Sequence, residues 1–221
     1  MSVSMTIPGP DGRPRCRWCA SAPDFLAYHD TEWGFPVADD RRLFEKLCLE
    51  GFQSGLSWRT ILAKRENFRA AFHGFDVAAV ARFTADDVAA LLQNAGIVRH
   101  RGKIEAVINN ARRALALIEQ EGSLAAYVWR FEPAVGDLAE PQTASTSAAS
   151  IALSKDLRKR GWAFVGPTTV YAFMQAMGLI NDHARGCAIR AEAEAAREGF
   201  RRPGRDARGR ASPSHTHPPG N

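Results

Sequence analysis

The sequence lacks the features that place a protein in a membrane or outside the cell. It contains no run of about 18 apolar residues that could cross a bilayer. Its first segment, MSVSMTIPGPDGRPR, lacks the apolar centre of a signal peptide. Cysteine is scarce, since 4 cysteines in 221 residues are too few for a disulfide scaffold. We therefore expect a cytoplasmic protein without a membrane partner, whose cysteines are buried or hold a metal.

A strong net charge is missing as well. The formal net charge is +5 and the isoelectric point is about 9.3. Many proteins with this balance never contact nucleic acid, so the charge permits a DNA partner without requiring one. The length of 221 residues is sufficient to bury one sizeable core.

Strand-like patterns are also absent. No stretch alternates convincingly between polar and apolar residues, whereas apolar residues recur at helical spacing along most of the chain. Helices are predicted to begin after Asp39, Ser57, Thr84 and Ser123, which are residue types suited to N-caps. The longest predicted helix covers about residues 102–120. The pattern predicts an all-α fold.

Both ends of the chain lack a pattern that would form a core. Residues 1–13 are rich in Pro, Gly and Ser, and the chain beyond Cys187 becomes rich in Arg, Gly and Pro. We expect a disordered leader over residues 1–13, a folded domain over residues 14–190 and a disordered basic tail over residues 191–221.

Residues 161–169 are predicted to form a hairpin that leads into a helix. Pro167 is suited to the first helical position, and an apolar run at helical spacing follows it. The N-terminus of such a helix presents unpaired backbone N–H groups, which can bind a phosphate oxygen. Gly166, Thr168 and Thr169 are therefore candidate contacts to a DNA backbone.

Residues with metal-ligand chemistry lie near both ends of the predicted domain. His183 and Cys187 are about one helical turn apart, a spacing that lets both side chains face one ion. Cys16 and His29 are the best second pair, because each lies in a short irregular segment with few apolar residues. Cys16 with Cys19 has the commoner zinc spacing, so this pair remains an alternative, as does burial without a metal.

Several separate strings, in this order along the chain, resemble the 3-methyladenine DNA glycosylase I family. They are RCRW (15–18), AYHDTEWG (27–34), LEGFQSGLSW (49–58), GIVRHRGKI (96–104) and FVGPT (164–168). The resemblance extends from Arg15 to Cys187. It implies an all-α, helix-hairpin-helix glycosylase-like domain in which one structural zinc ion joins the two terminal segments. It also selects Cys16, His29, His183 and Cys187 as ligands and leaves Cys19 outside the site.

The resemblance further implies a pocket for a base that has been rotated out of the DNA duplex. Glu50 matches the acidic residue that reads the base and is the catalytic candidate, while Trp18, Tyr28 and Trp58 match the aromatic walls. Phe25 stands where related sequences can carry a second tyrosine, so one hydrogen bond to the base is in doubt.

The implied reaction is hydrolysis of the N-glycosidic bond of 3-methyladenine in double-stranded DNA by a monomeric enzyme. The products are the free base and an abasic site. Adenine methylated at N3 is cationic, so aromatic faces and a carboxylate both favour it over neutral adenine. Water is the expected nucleophile, and no lysine in these strings is a candidate for Schiff-base formation. Replacing Glu50 by Gln is expected to weaken base binding while stability stays near wild type.

Each pocket residue also has an ordinary structural interpretation. Glu50 could be an exposed carboxylate at the end of a helix, and the aromatic residues could belong to the core. Asp182 could act as a general base, or it could cap or orient its neighbour His183. The alternative functions are a zinc-stabilised helix-hairpin-helix DNA-binding module without catalysis and a structural protein with a metal clasp. A carboxylate beside aromatic rings in residues 49–58 favours the enzyme, because a DNA clamp has no need of it.

Overall fold

The computed structural model describes residues 4–204, and its architecture is helical. The helices are α1 (Phe25–Thr31), α2 (Asp40–Gln53), α3 (Trp58–Ala63), α4 (Arg65–Ala71), α5 (Val77–Ala81), α6 (Ala85–Gln93), α7 (Arg101–Glu121), α8 (Leu124–Val128), α9 (Ala148–Lys159), α10 (Pro167–Ala176) and α11 (Ala188–Glu198). Short 3-10 turns lie at Arg17–Ser21, His73–Phe75, Trp129–Phe131 and Val135–Asp137. The strands β1 (Thr6–Pro8) and β2 (Pro14–Cys16) form an antiparallel pair. The prediction of an all-α fold is confirmed.

Helix α2 lies at the centre of the domain. It packs against α10, α8 and α7, and residues 43–52 are all buried. Asp39 begins the helix, because its side chain accepts a hydrogen bond of 2.8 Å from the Arg42 N–H. At the other end, the Lys103 ammonium donates to the carbonyl oxygens of Phe52 and Ser54 at 2.8 and 2.5 Å. These contacts fix the last turn of α2, which carries Glu50.

The sequence-predicted helix starts agree with the structure. Side chains of Asp39, Ser57, Thr84 and Ser123 each accept a backbone N–H of the following turn. The segment after Ser57 differs, because it forms two helices, α3 and α4, instead of one. Lys64 separates them with φ −102° and ψ 3°, which is outside the helical region.

The expected disorder at the N-terminus is wrong for most of residues 1–13. Thr6 lies opposite Cys16 in the β1–β2 pair. Arg15 is buried and forms ion pairs with Asp11 and Asp30, both at 2.9 Å. Backbone pairing and one buried guanidinium therefore order a segment that has little apolar surface. Residues 1–3 lie outside the described part of the chain.

The expected disorder from residue 191 onward is wrong up to residue 204. Helix α11 buries Ile189, Ala193 and Arg197 on one face. Arg197 donates to Glu132 at 3.0 Å and to the Gly178 carbonyl. Only one side chain per turn is buried on this face, and one of the three is an arginine. This apolar pattern is too weak for the helix to be predicted from hydrophobicity alone. Residues 205–221, the rest of the predicted tail, lie outside the described residues.

No helix within residues 4–204 combines the length and the apolar character needed to cross a bilayer.

Candidate functional site

A cluster of cysteine and histidine side chains joins the two ends of the described chain. Cys16, His29, His183 and Cys187 are all buried, and one ligand atom from each lies within 4.8 Å of the other three. Cys16 ends β2, His29 is on α1, and Cys187 precedes α11. The four residues that the sequence singled out therefore meet at one point.

Four of the six distances within the cluster are close to the edges of a metal-centred tetrahedron, and the other two are at most 4.8 Å. Bond lengths of about 2.3 Å for zinc to sulfur and about 2.05 Å for zinc to nitrogen require S···N edges of about 3.6 Å and an N···N edge of about 3.3 Å. The Cys187 Sγ lies 3.6 Å from His29 Nε2 and 3.8 Å from His183 Nδ1. Cys16 Sγ lies 3.7 Å from His183 Nδ1, and the two imidazole nitrogens are 3.1 Å apart. The donor set thus fits a tetrahedral divalent metal.

Each histidine is oriented through its other ring nitrogen. His29 Nδ1 lies 2.7 Å from the Asp30 carboxylate, and His183 Nε2 lies 2.9 Å from the Trp33 carbonyl oxygen. Such partners fix the ring and leave the opposite nitrogen free to bind a metal. Gly34 has φ +88°, and a Cβ atom there would lie 2.9 Å from His183 Nε2. The WG sequence that follows α1 therefore accommodates the imidazole.

The two sulfur atoms of the cluster differ, because the hydrogen bond with Cys187 and burial raise the pKa of the Cys16 thiol while other hydrogen bonds oppose that shift. Cys16 Sγ accepts hydrogen bonds from the Ala184 N–H at 3.3 Å and from Gln142 Nε2 at 3.0 Å. Hydrogen bonds from Cys16 and the two imidazoles lower the pKa of the Cys187 thiol. Cys19 is buried but does not belong to the cluster, and burial raises its pKa to about 11.

Asp182 supports this cluster and does not stand free as a base. It is 3% exposed, and burial raises the pKa of its carboxyl group. One carboxylate oxygen accepts the Gln142 N–H at 3.0 Å, and the other accepts Gln175 Nε2 at 2.6 Å. Since Gln142 also donates to Cys16 Sγ, Asp182 holds the loop that reaches the cluster.

A second buried cluster combines one carboxylate, one ammonium and two aromatic rings. Lys46 and Glu50 lie one turn apart on α2 and form an ion pair of 2.8 Å. The same ammonium donates to the Tyr28 hydroxyl at 2.8 Å and lies 3.3 Å from the centre of a Trp58 ring. Tyr28, Lys46 and Glu50 are each 5% exposed. This arrangement binds a cation through a carboxylate, a hydroxyl oxygen and a π face.

Two groups in this cluster are perturbed by their surroundings. Burial lowers the pKa of Lys46, although Glu50 opposes the shift, and burial together with Glu50 raises the pKa of Tyr28 well above its usual value. Within residues 4–204, the buried Trp58 Nε1–H has no hydrogen-bond partner. A buried donor without a partner is uncommon, and Trp162 Nε1 is another within the same residues.

The cavity beside this cluster is small and has a charged rim. Its volume is about 30 Å³, and Tyr28, Lys46 and Trp58 contribute to its lining. This is room for about two water molecules. Ion pairs between charged lining residues surround it: Arg65–Glu32 at 2.7 Å and Arg69–Glu45 at 2.8 Å.

The predicted hairpin joins α9 to α10. Gly166 precedes α10, Pro167 is its first residue, and no side chain caps this end of the helix. The N–H groups of Thr168 and Thr169 lie in the first turn, where no intrahelical acceptor exists. Thr168 is exposed and Thr169 is half-buried. The geometry presents unpaired donors at the surface.

Comparisons with known proteins identify the family of this chain. A family model described as methyladenine glycosylase matches residues 18–191. The chain belongs to this family. It is 50% identical over 177 residues to DNA-3-methyladenine glycosylase 1 of Escherichia coli (strain K12), covering 78% of this chain and 95% of that protein.

Solved structures of similar proteins support the same assignment to the methyladenine glycosylases. A crystal structure of 3-methyladenine DNA glycosylase I is 51% identical, with a TM-score of 0.73, and the match covers 79% of this chain and 98% of that one. A structure of the Staphylococcus aureus 3-methyladenine DNA glycosylase I, described as showing the basis of 3-methyladenine recognition, is 37% identical with a TM-score of 0.73. That match covers 78% of this chain and 95% of the other.

The base-pocket residues predicted for this methyladenine glycosylase are only partly brought together. Tyr28, Glu50 and Trp58 surround the Lys46 ammonium. Trp18 lies on the other side of Tyr28, where its ring is 6.4 Å from Tyr28 and 5.3 Å from His29, measured between ring centres. Trp18 therefore packs between the metal cluster and the pocket. Phe25 lies edge-on against Trp18 at 5.6 Å.

Sequence reasoning missed Lys46. The available signal was its position four residues before Glu50 on a helix whose other residues in this stretch are largely apolar. A lysine and a glutamate at this spacing usually form a solvated surface pair. Only the structure shows that both are buried and that the ammonium faces Trp58.

Proposed function

We propose that this protein hydrolyses the N-glycosidic bond of 3-methyladenine in alkylated double-stranded DNA, releasing the free base and leaving an abasic site. The observation that carries the proposal is the cation-binding arrangement of Glu50, Tyr28 and Trp58 around an ammonium ion. A deoxyadenosine methylated at N3 is also a cation, and it offers a flat ring and a donor amine to the same three groups. Neutral adenine lacks the charge that these groups favour.

The chain's own residues can supply recognition and electrostatic stabilisation. In the proposed complex, Trp58 stacks on the extruded base with the ring face that now lies against the Lys46 ammonium. Glu50 accepts from the exocyclic amine and stabilises positive charge on the base and the sugar. Water adds to C1′ as the C1′–N9 bond breaks, and the bond electrons neutralise the departing base. The proton of the attacking water passes to solvent.

The metal is proposed to be one zinc ion with a structural role. Cys16, His29, His183 and Cys187 would hold it, and four protein ligands leave no open position for a water molecule. The bound ion would join β2 and α1 to the segment before α11. No catalytic step depends on it.

The hairpin is proposed to contact the DNA backbone. Gly166, Thr168 and Thr169 lie at the exposed start of α10, whose N–H groups can bind a phosphate without reading sequence. All residues of the proposed site belong to one chain, so we expect a monomer to be sufficient for activity.

A glycosylase assay tests this proposal directly. The protein is incubated with DNA treated with a methylating agent, and the released bases are separated by chromatography. We expect release of 3-methyladenine with an equal number of abasic sites. Binding to DNA without base release would favour the alternative, a zinc-stabilised DNA-binding module without catalysis.

A further inference from the structure

Lys46 occupies the position that the proposed function requires for the base. Its ammonium is bound to the Glu50 carboxylate at 2.8 Å and lies 3.3 Å from the centre of a Trp58 ring. These are the two contacts by which the pocket would recognise a cationic purine. The cavity of about 30 Å³ that remains beside them is far too small for a purine. The base and the Lys46 ammonium cannot occupy this place together.

Charge leads to the same conclusion as volume. Lys46 and Glu50 are both buried, so the ammonium neutralises the carboxylate in surroundings where charges interact strongly. A cationic base placed beside an ammonium that remained in position would be repelled. The single carboxylate of Glu50 would also have to neutralise two positive charges. The ammonium must therefore move away before the base can bind.

The structure offers the ammonium a place to go. Lysine has a flexible stem of four carbons. The cavity that Lys46 lines has carboxylates at Glu32, which is partly exposed, and at Glu45, which is buried, and each of them is paired with an arginine. These acidic groups could receive the ammonium after it leaves Glu50.

We infer that Lys46 is an internal competitor for the base site, and that an incoming base must displace its ammonium from Glu50 and Trp58. This inference rests on the proposed function, because it assumes that these residues receive the base. It makes Lys46 a determinant of affinity. The apparent affinity for the base falls as the ammonium occupies the site in a larger fraction of the protein.

The test is titration of free 3-methyladenine into wild type, Lys46→Met, Lys46→Arg and Lys155→Met, followed by tryptophan fluorescence. Lys46→Met is expected to bind the base about tenfold more tightly, near the lower end of the effect of one charge-assisted hydrogen bond, because the methionine must also move. Lys46→Arg retains the competing charge and is expected to bind no more tightly than wild type. Lys155 is exposed on α9, so Lys155→Met is a matched control that should bind as wild type does.

Unchanged or weaker binding by Lys46→Met, in a folded protein, would overturn the inference. If Lys46→Met does not fold, Lys46→Ala tests the same point, because it removes the charge and enlarges the cavity. If wild type releases 3-methyladenine from DNA but the uncharged variants bind the base no better, only the inference about Lys46 fails. If wild type neither releases nor binds 3-methyladenine, the proposed function fails and the inference fails with it.

Discussion

Replacement of Glu50 by Gln is expected to weaken the folded state, because the structure places a buried ammonium beside it. Lys46 and Glu50 are each 5% exposed and are 2.8 Å apart. Breaking a buried ion pair by removing one partner costs about 3–5 kcal/mol. This replaces the sequence-based expectation that stability would stay near wild type.

In this variant Lys46 can instead lose its proton, and the free-energy cost estimated for that outcome is similar. An ordinary lysine has a pKa of about 10.4, so holding it neutral at about pH 7.5 costs roughly 4 kcal/mol. Glutamine keeps one acceptor oxygen, which lowers the expected cost to about 3 kcal/mol. For a domain of this size, each kcal/mol changes the melting temperature by about 2–4 °C. We expect the melting temperature of Glu50→Gln to fall by roughly 6–12 °C.

The pH dependence identifies the cause of this destabilisation. Burial already lowers the pKa of Lys46, and removal of the Glu50 charge lowers it further. The unfolded chain then binds one more proton than the folded chain between the two pKa values, so the stability of the variant rises with pH in that range. Above neutrality, the difference in free energy of unfolding between wild type and Glu50→Gln should shrink by up to about 1.4 kcal/mol per pH unit.

Denaturant unfolding at several pH values, with the double variant Glu50→Gln/Lys46→Met as control, checks this reasoning. The double variant removes both charges and should recover most of the lost stability. Base affinity of the double variant, compared with Lys46→Met alone, then isolates the contribution of Glu50. We expect a loss of about one to two orders of magnitude, the size of a charge-assisted hydrogen bond. A Glu50→Gln protein as stable as wild type at every pH would refute the buried pair.

Three further predictions concern the metal, the hairpin and the stacking residue. Elemental analysis should find one zinc per chain in the wild-type protein. The Cys16→Ala variant should lose this zinc, and the Cys19→Ala variant should retain it. Gly166→Asp should weaken duplex binding and reduce its salt dependence, because a carboxylate then faces the phosphate. Gly136→Asp adds the same charge at a surface glycine with open space around it, and it should change neither duplex binding nor its salt dependence. Trp58→Ala should weaken 3-methyladenine binding by about 1–3 kcal/mol through lost stacking, and unchanged affinity would remove the ring from the site.

The sequence was sufficient for the helix starts and for one pair of candidate ligands because both depend on strong local signals, whereas the choice of Cys16 over Cys19 came from the family resemblance. N-cap residues such as Ser57 and Thr84 act on the next turn alone, and the His183–Cys187 spacing is set within one segment. Burial of charge was not predictable, because it depends on which surfaces meet in three dimensions. Lys46 and Arg197 would both be assigned to a solvated face from sequence, yet each is buried against a carboxylate.

The proposed metal site and the proposed base site are connected through α1. Tyr28, which contacts the Lys46 ammonium, directly precedes the proposed ligand His29 on that helix. Trp18 packs edge-on against His29 at 5.3 Å and tilted against Tyr28 at 6.4 Å, so it fills the space between the two sites. A metal ion that fixed His29 would therefore also fix the direction in which Tyr28 points. Because a buried aromatic ring has few alternative packings, a displacement of His29 would change the pocket. A purely structural metal can thus set the geometry of base recognition without taking part in the chemistry.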